Sequence, residues 1–509
     1  MEPSAKLPPE SQPDNAAHPG SDLSAEAVEK LKSRARRGVA ILAGRTALVQ
    51  LTVFAGQIAL ARLLEPREFG VYAIVQFALS FFVFFGDAGL GGGLIQKSSH
   101  PSHRELSSVF FAQVLISSAV IVVVFFAADL SRFVWPDLPA AGPWLLRALS
   151  LDLLLTALRT IPSILMEREL LFGKLAALDV VVSITFYIVA AVLAWFGLGV
   201  WALVAGVLAQ GTAGLIVAYA LCPFRPQLAL DRALLRPILK FGVPFQLNRA
   251  VGFVNAAVTP LYAGSKLGSR PLGLITWAQN TAYFPLKLVE IVGRIAFPLY
   301  SRLQHDQRLL GESFGRSVQL CAAFTAYFVA LFCGMGAQVT AVVFGEKWLV
   351  ALPLLVVYSG AISIGFLSPL VGAVLDSTGR PQLVLRLALF WTSLNWIVVP
   401  FTTARWGMLG FALGYSVHVV VGNLVVVGLT STLIPHSRLL RRLWSPALGG
   451  ALVYLLAKYL LAAHSTGALR FMGSAALLLA AHAGALFLFD RRGMLDALKI
   501  VPTGEEKER

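Results

Sequence analysis

Long apolar stretches follow one another along almost the whole chain, with only short polar turns between them. A helix needs about 20 apolar residues to cross the hydrocarbon of a bilayer, and about fourteen stretches qualify. They lie near residues 39–63, 70–95, 107–130, 143–166, 175–196, 199–221, 239–263, 271–298, 314–336, 350–375, 382–403, 407–433, 443–463 and 469–489. The pattern predicts an all-α polytopic membrane protein. Only Phe196-Gly-Leu-Gly separates the fifth stretch from the sixth, which predicts a tight hairpin of antiparallel helices. Pro162, Pro244, Pro260, Pro285, Pro369 and the run Gly91–Gly93 fall inside stretches. Such breaks are tolerated where neighbouring helices or a watery cavity satisfy the freed backbone groups.

The polar positions orient these helices. Residues 1–33 are rich in Pro, Ser, Glu and Ala and predict a disordered tail with no signal-peptide core. Lys30, Lys32, Arg34, Arg36 and Arg37 stand directly before the first apolar stretch, where they resist translocation and can meet anionic lipid headgroups. Arg225, Arg232, Arg236 and Lys240 fall between the sixth and seventh stretches, and Arg438, Arg441 and Arg442 between the twelfth and thirteenth. All these clusters lie on one side, which places both termini in the cytoplasm.

Arg67, Gly70 and Gln76 return 203 residues later as Arg270, Gly273 and Gln279. In each copy one apolar stretch leads into the basic turn and another leaves it. A chain built twice from this unit forms two similar halves, and transporter sites lie at such repeat interfaces. The expected organisation is a basic cytoplasmic tail over 1–37, a six-helix lobe over 38–222, a basic linker over 223–240 and a second six-helix lobe over 241–435. Two additional helices over 436–490 and a cytoplasmic tail over 491–509 follow.

Composition agrees. Of 509 residues, 57% are hydrophobic and 14% charged, more apolar surface than a soluble chain of this length requires. The net charge of +15 sits mainly in the loops, so membrane topology accounts for it and nucleic acid is not an expected partner. Cys222, Cys321 and Cys333 lack CxxC spacing and predict neither metal nor disulfide. No P-loop, HExxH or GxSxG motif occurs, and no connection is long enough for a catalytic module. A cofactor-free protein that is not an enzyme is expected.

The informative residues are ionisable ones inside the stretches. Lys287, Glu290 and Arg294 share one helical face at i, i+3 and i+7. Each costs about 2.5–3.5 kcal/mol at mid-bilayer, so this face pairs internally or lines a polar cavity. A ladder that clips two helices together, and snorkelling of Arg294 at a helix end, are the alternatives. Arg45 in the first stretch matches Asn248 and Arg249 in the seventh, and Arg147, Asp152 and Arg159 share the fourth. The candidate substrate cavity therefore contains Arg45, Arg147, Arg159, Asn248, Arg249, Lys287 and Arg294. Asp87, Asp179 and Glu290 are candidates for ion coupling. A cationic surplus suits an anionic substrate, because guanidinium groups match phosphate oxygens and stay charged when buried. Tyr72, Trp277, Tyr283 and Tyr300 offer stacking surface for sugars or interfacial anchoring. His418 reads as a packed polar residue.

Ala61-Arg-Leu-Leu-Glu-Pro-Arg-Glu-Phe-Gly-Val-Tyr, with Phe85-Gly-Asp-Ala-Gly-Leu-Gly-Gly-Gly-Leu-Ile-Gln96, resembles the opening of bacterial polysaccharide transporters, the Wzx-type flippases. The segment from Lys240-Phe-Gly-Val-Pro to Phe297-Pro-Leu-Tyr-Ser-Arg-Leu-Gln304 resembles their seventh and eighth spans. The resemblance covers roughly residues 38–435 and leaves the N-terminal tail unexplained. It implies the fold of the MOP exporter superfamily, shared with MATE-type drug exporters and lipid II flippases: two six-helix lobes around a V-shaped central cavity. It further implies a polyprenyl-pyrophosphate-linked oligosaccharide as substrate and membrane lipids as surroundings, in the bacterial inner membrane. Alternating access driven by H⁺ or Na⁺, and work alongside a polysaccharide polymerase and export machinery, are implied likewise. The alternative is an ion-coupled MATE-like multidrug or metabolite antiporter.

Overall fold

In hydrocarbon every backbone N–H and C=O must be satisfied within its own segment, so apolar stretches of this length become helices. The computed structural model describes residue 44 and residues 48–86, 89–97, 99–430, 436–461 and 467–498, which are helical throughout apart from short turns. Arg45 and Asp87 lie outside the described residues, as do the side chains of Asn248, Arg249 and Arg294.

The first half comprises α1 (Leu48–Leu63), α2 (Pro66–Gly86), α3 (Leu90–Gln96), α4 (His103–Ala127), the short α5 (Ser131–Val134), α6 (Gly142–Arg168), α7 (Phe172–Trp195) and α8 (Val200–Leu221). The second half comprises α9 (Arg232–Ala257), which runs on through a π-turn to the short α10 (Gly264–Leu267), then α11 (Ser269–Ala282), α12 (Phe284–Leu303), α13 (Gln307–Gln338), α14 (Leu352–Gly365), α15 (Leu367–Ser377) and α16 (Pro381–Thr430). The duplication seen in the sequence is legible in these boundaries. Pro66 and Ser269 open α2 and α11, Ser102 and Asp306 cap α4 and α13 through their side chains, and Phe172 and Pro381 open α7 and α16.

The predicted hairpin at Phe196–Gly199 joins α7 to α8 through Gly199 (φ 55°, ψ −131°). A second hairpin of the same kind lies inside α16, which reverses at Gly407 (φ 56°, ψ −133°). Only glycine adopts this backbone conformation readily. The two arms of α16 then pack so closely that a Cβ on Gly414 would lie 3.0 Å from the Val399 Cα.

The count of about fourteen stretches is not confirmed among the described residues, and several of the stretches are broken. Among the described residues, ten helical segments are long and apolar enough to cross a membrane. One of the ten, Pro381–Leu429, contains both arms of the α16 hairpin. The stretch expected over 271–298 is two helices, broken at Tyr283 ahead of Pro285, and the second piece carries the charged face. The expected second and tenth stretches break likewise, into α2–α3 and α14–α15. Helix α9 begins at Arg232, within the basic linker, where the Asp231 side chain accepts the Ala233 N–H.

The remaining helices, α17 (His436–Leu455) and α18 (Ala468–Leu498), pack on α13. Small residues permit the approach: a Cβ on Gly334 would crowd Ala457, and one on Gly450 would crowd Ala326. Buried polar groups fix the register. Gln319 donates to Asp490 (2.7 Å) and accepts from Arg442 (3.5 Å), and the Tyr327 hydroxyl donates to the Ala475 carbonyl (2.9 Å). An apolar groove of about 400 Å³ runs between α13 and α17, lined by Ala326, Cys333, Leu443 and Ala447.

Candidate functional site

The two repeat copies meet each other. Helix α2 crosses α11 at Gly70 and Gly273, and the contact is reciprocal: a Cβ on Gly70 would strike the Ser269 carbonyl, and one on Gly273 the Pro66 carbonyl. Such exchange of equivalent contacts is the mark of a two-fold interface. The absent side chains let the two backbones touch.

Polar and aromatic groups stitch the halves together around this crossing. Arg62 at the end of α1 donates to the carbonyls of Val342 and Val343 beyond α13, the latter at 2.8 Å. Lys347 reaches back to the Arg62 carbonyl (3.0 Å) and to Glu65 (3.5 Å). The buried Trp348 donates its indole N–H to the Ala61 carbonyl (2.8 Å), stacks on Trp277 and meets the edge of Phe69. Trp135 donates to the Pro260 carbonyl (2.9 Å). Asp137 accepts from the Ser269 backbone N–H (2.8 Å) and hydroxyl, and faces Arg67 at 3.6 Å. The Ser269 hydroxyl and N–H, and then Arg67, hold the Asp137 carboxyl below the usual carboxylate range. Arg67, Asp137, Lys266 and Arg270 line an open depression of about 590 Å³ over the crossing.

At this seam end the halves are sealed. Toward the other end α2 and α11 give way to α3 and α12, and α12 packs on α13 and α15 of its own half. The halves also meet at that end: α3 packs on α9, where a Cβ on Gly93 would meet the Ile238 carbonyl. Aromatic contacts bridge the halves partway down: Phe54 of α1 meets Phe284 of α12, with centroids 4.3 Å apart, and Phe253 of α9 stacks on Phe77 and Phe84 of α2.

The predicted site residues distribute unevenly in this frame. Lys287 is half-buried on α12 and forms no hydrogen bond or ion pair with a described residue; Glu290, one turn on, is exposed. Arg147 lies near the start of α6, bonded to Asp129 (2.7 Å) and the Phe125 carbonyl (2.9 Å) and stacked on Phe125 and Trp144. Arg159 lies inside the first half, against Gly214 of α8. Asp179 is half-buried on α7. The structure therefore separates Arg147 and Arg159 from Lys287. Trp277 and Tyr300 are buried in packed cores and present no ring to a substrate. His418 is packed, with Nδ1 2.6 Å from the Tyr415 carbonyl.

Residues 59–353 match a family described as polysaccharide biosynthesis protein. The chain belongs to that family. The match runs through both repeat copies and the whole seam, from Ala61 to Trp348. The chain is 25% identical over 386 residues to the lipopolysaccharide biosynthesis protein WzxC of Escherichia coli K12, covering 74% of this chain and 76% of WzxC. Among solved structures it is similar to the lipid II flippase MurJ in an inward closed conformation, with a TM-score of 0.71 over 89% of this chain and 98% of MurJ at 13% identity. It is also similar to an inward-facing MATE family multidrug resistance transporter of the MOP superfamily, with a TM-score of 0.56 over 77% of this chain and 96% of that one at 16% identity. These likenesses establish the fold of a family member that spans the membrane many times.

Sequence reasoning missed the seam residues Arg62, Trp135, Asp137, Lys347 and Trp348. Each acts through a partner more than 100 residues away. The available signal was the repeated glycine pair, which marks where two backbones touch.

Proposed function

We propose that this protein moves a polyprenyl-pyrophosphate-linked oligosaccharide from the cytoplasmic to the opposite leaflet of the bacterial inner membrane by alternating access. The observation that carries the reading is the seam: the repeat copies close one end of the molecule against each other, and α12, which carries the half-buried Lys287, follows directly from the seam helix α11. In this orientation both termini are cytoplasmic, the seam faces away from the cytoplasm, and the cavity is closed to the outside. Membership of a polysaccharide biosynthesis family and the MurJ-like fold support a lipid-linked glycan as cargo. Lys287, with Arg249 and Arg294 as further candidates, receives the pyrophosphate. The membrane supplies the lipid, a polysaccharide polymerase takes the product, and an H⁺ or Na⁺ gradient drives the cycle.

Two experiments test this. Deletion of the gene should trap lipid-linked oligosaccharide on the cytoplasmic side, read by mass spectrometry of membrane extracts, with loss of a surface or secreted polysaccharide. An unchanged lipid pool with altered drug tolerance would favour the antiporter. Lys287→Ala should abolish export while leaving the protein inserted, because the truncated cation forms no hydrogen bond or ion pair with a described residue and the loss is of a substrate contact. Normal export by stably expressed Lys287→Ala protein would remove that residue from the site.

A further inference from the structure

Asp152 stands in the middle of α6, about 15 Å along the helix from its first residue. Its Oδ1 is buried and has no hydrogen-bond partner. The space around it is built by α8. A Cβ on Gly211 would run into Asp152 Oδ1, and a Cβ on Gly214, one turn on, would run into the Arg159 guanidinium. Two glycines on one helix thus make room for an acid and a base two turns apart on the next. Asp152 and Arg159 form no ion pair with each other or with another described residue; they act on one another through space.

The other titratable groups around this carboxyl are few. Tyr72 of α2 lies within electrostatic reach of it, and Tyr187 of α7 within reach of Tyr72, both half-buried. Asp179 of α7 lies one turn beyond Val182, the residue level with Gly214 and Arg159. Asp152 as a whole is half-buried, and a carboxylate with one oxygen buried and unbonded is disfavoured in its charged form. Ionisable groups inside a membrane mark substrate and ion pathways, proton relays among them.

We infer that Asp152 is a proton-binding site inside the first lobe, with Gly211 holding it open and Arg159 as its counter-charge. The carboxylate takes a proton from water and becomes a neutral donor; on release, the proton returns to water and Arg159 offsets the restored charge. Because α8 touches both side chains, each proton changes what α6 and α8 must accommodate, and that change couples the lobe to a proton gradient. The inference rests on the transport reading only for its purpose, since proton binding stands without it.

The test is infrared difference spectroscopy of the full-length protein in lipid nanodiscs, titrated between about pH 5 and pH 9. The wild type should show a protonated-carboxyl band that disappears on titration, and Asp152→Asn should lack it. Asp179→Asn and Glu290→Gln should retain it. A band that persists in Asp152→Asn, or its absence from the wild type, overturns the inference. If Asp152→Asn does not fold, Gly211→Ala keeps the carboxyl and crowds it, and should move the midpoint by about one pH unit; an unmoved midpoint again overturns it. A deletion strain that traps no lipid-linked glycan would defeat the transport reading and leave the spectroscopic result standing.

Discussion

The two copies of the repeated turn share a backbone and differ in what their side chains do. Gly70 and Gly273 are equivalent, and neither can gain a Cβ without meeting the other copy. Arg67 and Arg270 are equally equivalent in sequence, yet Arg67 reaches Asp137 and the Ser269 hydroxyl while Arg270 is exposed and forms no ion pair with a described residue. Asp137 breaks the symmetry: it hangs from the α5–α6 connection of the first half, next to Trp135, and takes only one of the two arginines. A duplicated chain keeps its close backbone contact because both copies need it. Its charges are free to diverge, since exposed pairs contribute little.

The largest expected effect comes from breaking the shared feature. Gly70→Val or Gly273→Val forces α2 and α11 apart, and overpacking of this kind costs about 1–3 kcal/mol or more. Either variant should shift the seam toward its open state by roughly 5- to 150-fold and stop glycan export, read by cross-linking of cysteines placed on either side. If Gly273→Val exports normally, the close approach is not required.

Next come the two hairpin glycines. Gly199→Ala and Gly407→Ala each place a side chain in a glycine-only conformation at a cost of about 1–3 kcal/mol. Their matching angles predict similar conformational costs. A Cβ on Gly199 would also meet the Glu68 carboxylate while one on Gly407 meets open space, so Gly199→Ala should lose the more thermal stability in detergent. Equal losses would show that Glu68 moves aside freely.

Asp137→Ala should have a smaller effect, no more than about 1 kcal/mol or fivefold in the seam equilibrium, because the group is largely exposed. Its pH dependence has a definite sign. A carboxyl held below its ordinary range contributes stability above that range and loses it as pH falls through the depressed value. Distances across the seam, measured by spin labels, should therefore be constant from about pH 5 to pH 8 and lengthen only in stronger acid, below the ordinary carboxylate value of about 3.9. Arg270→Ala should change neither distance nor export. Any sizeable effect of it would show that the second arginine is used in another state of the cycle.

The amino-acid sequence determined the helical membrane architecture, the duplication and the hairpin at Phe196–Gly199. Each follows from something local: the length of an apolar run, a spacing of 203 residues, two glycines in a row of four. It also marked Lys287 and Asp152 as costly, because the price of a charge in hydrocarbon depends on residue type and depth alone. It could not separate those two fates. Arg147 looked like a cavity cation and is bonded to Asp129, and Trp277 looked like a stacking platform and is buried under Trp348. Only tertiary structure decided that Gly70 meets Gly273, that Asp137 takes Arg67, and that Gly211 leaves room for Asp152. These are contacts between segments far apart in the chain, and a side chain's partner is set by the packing of helices that no local pattern encodes.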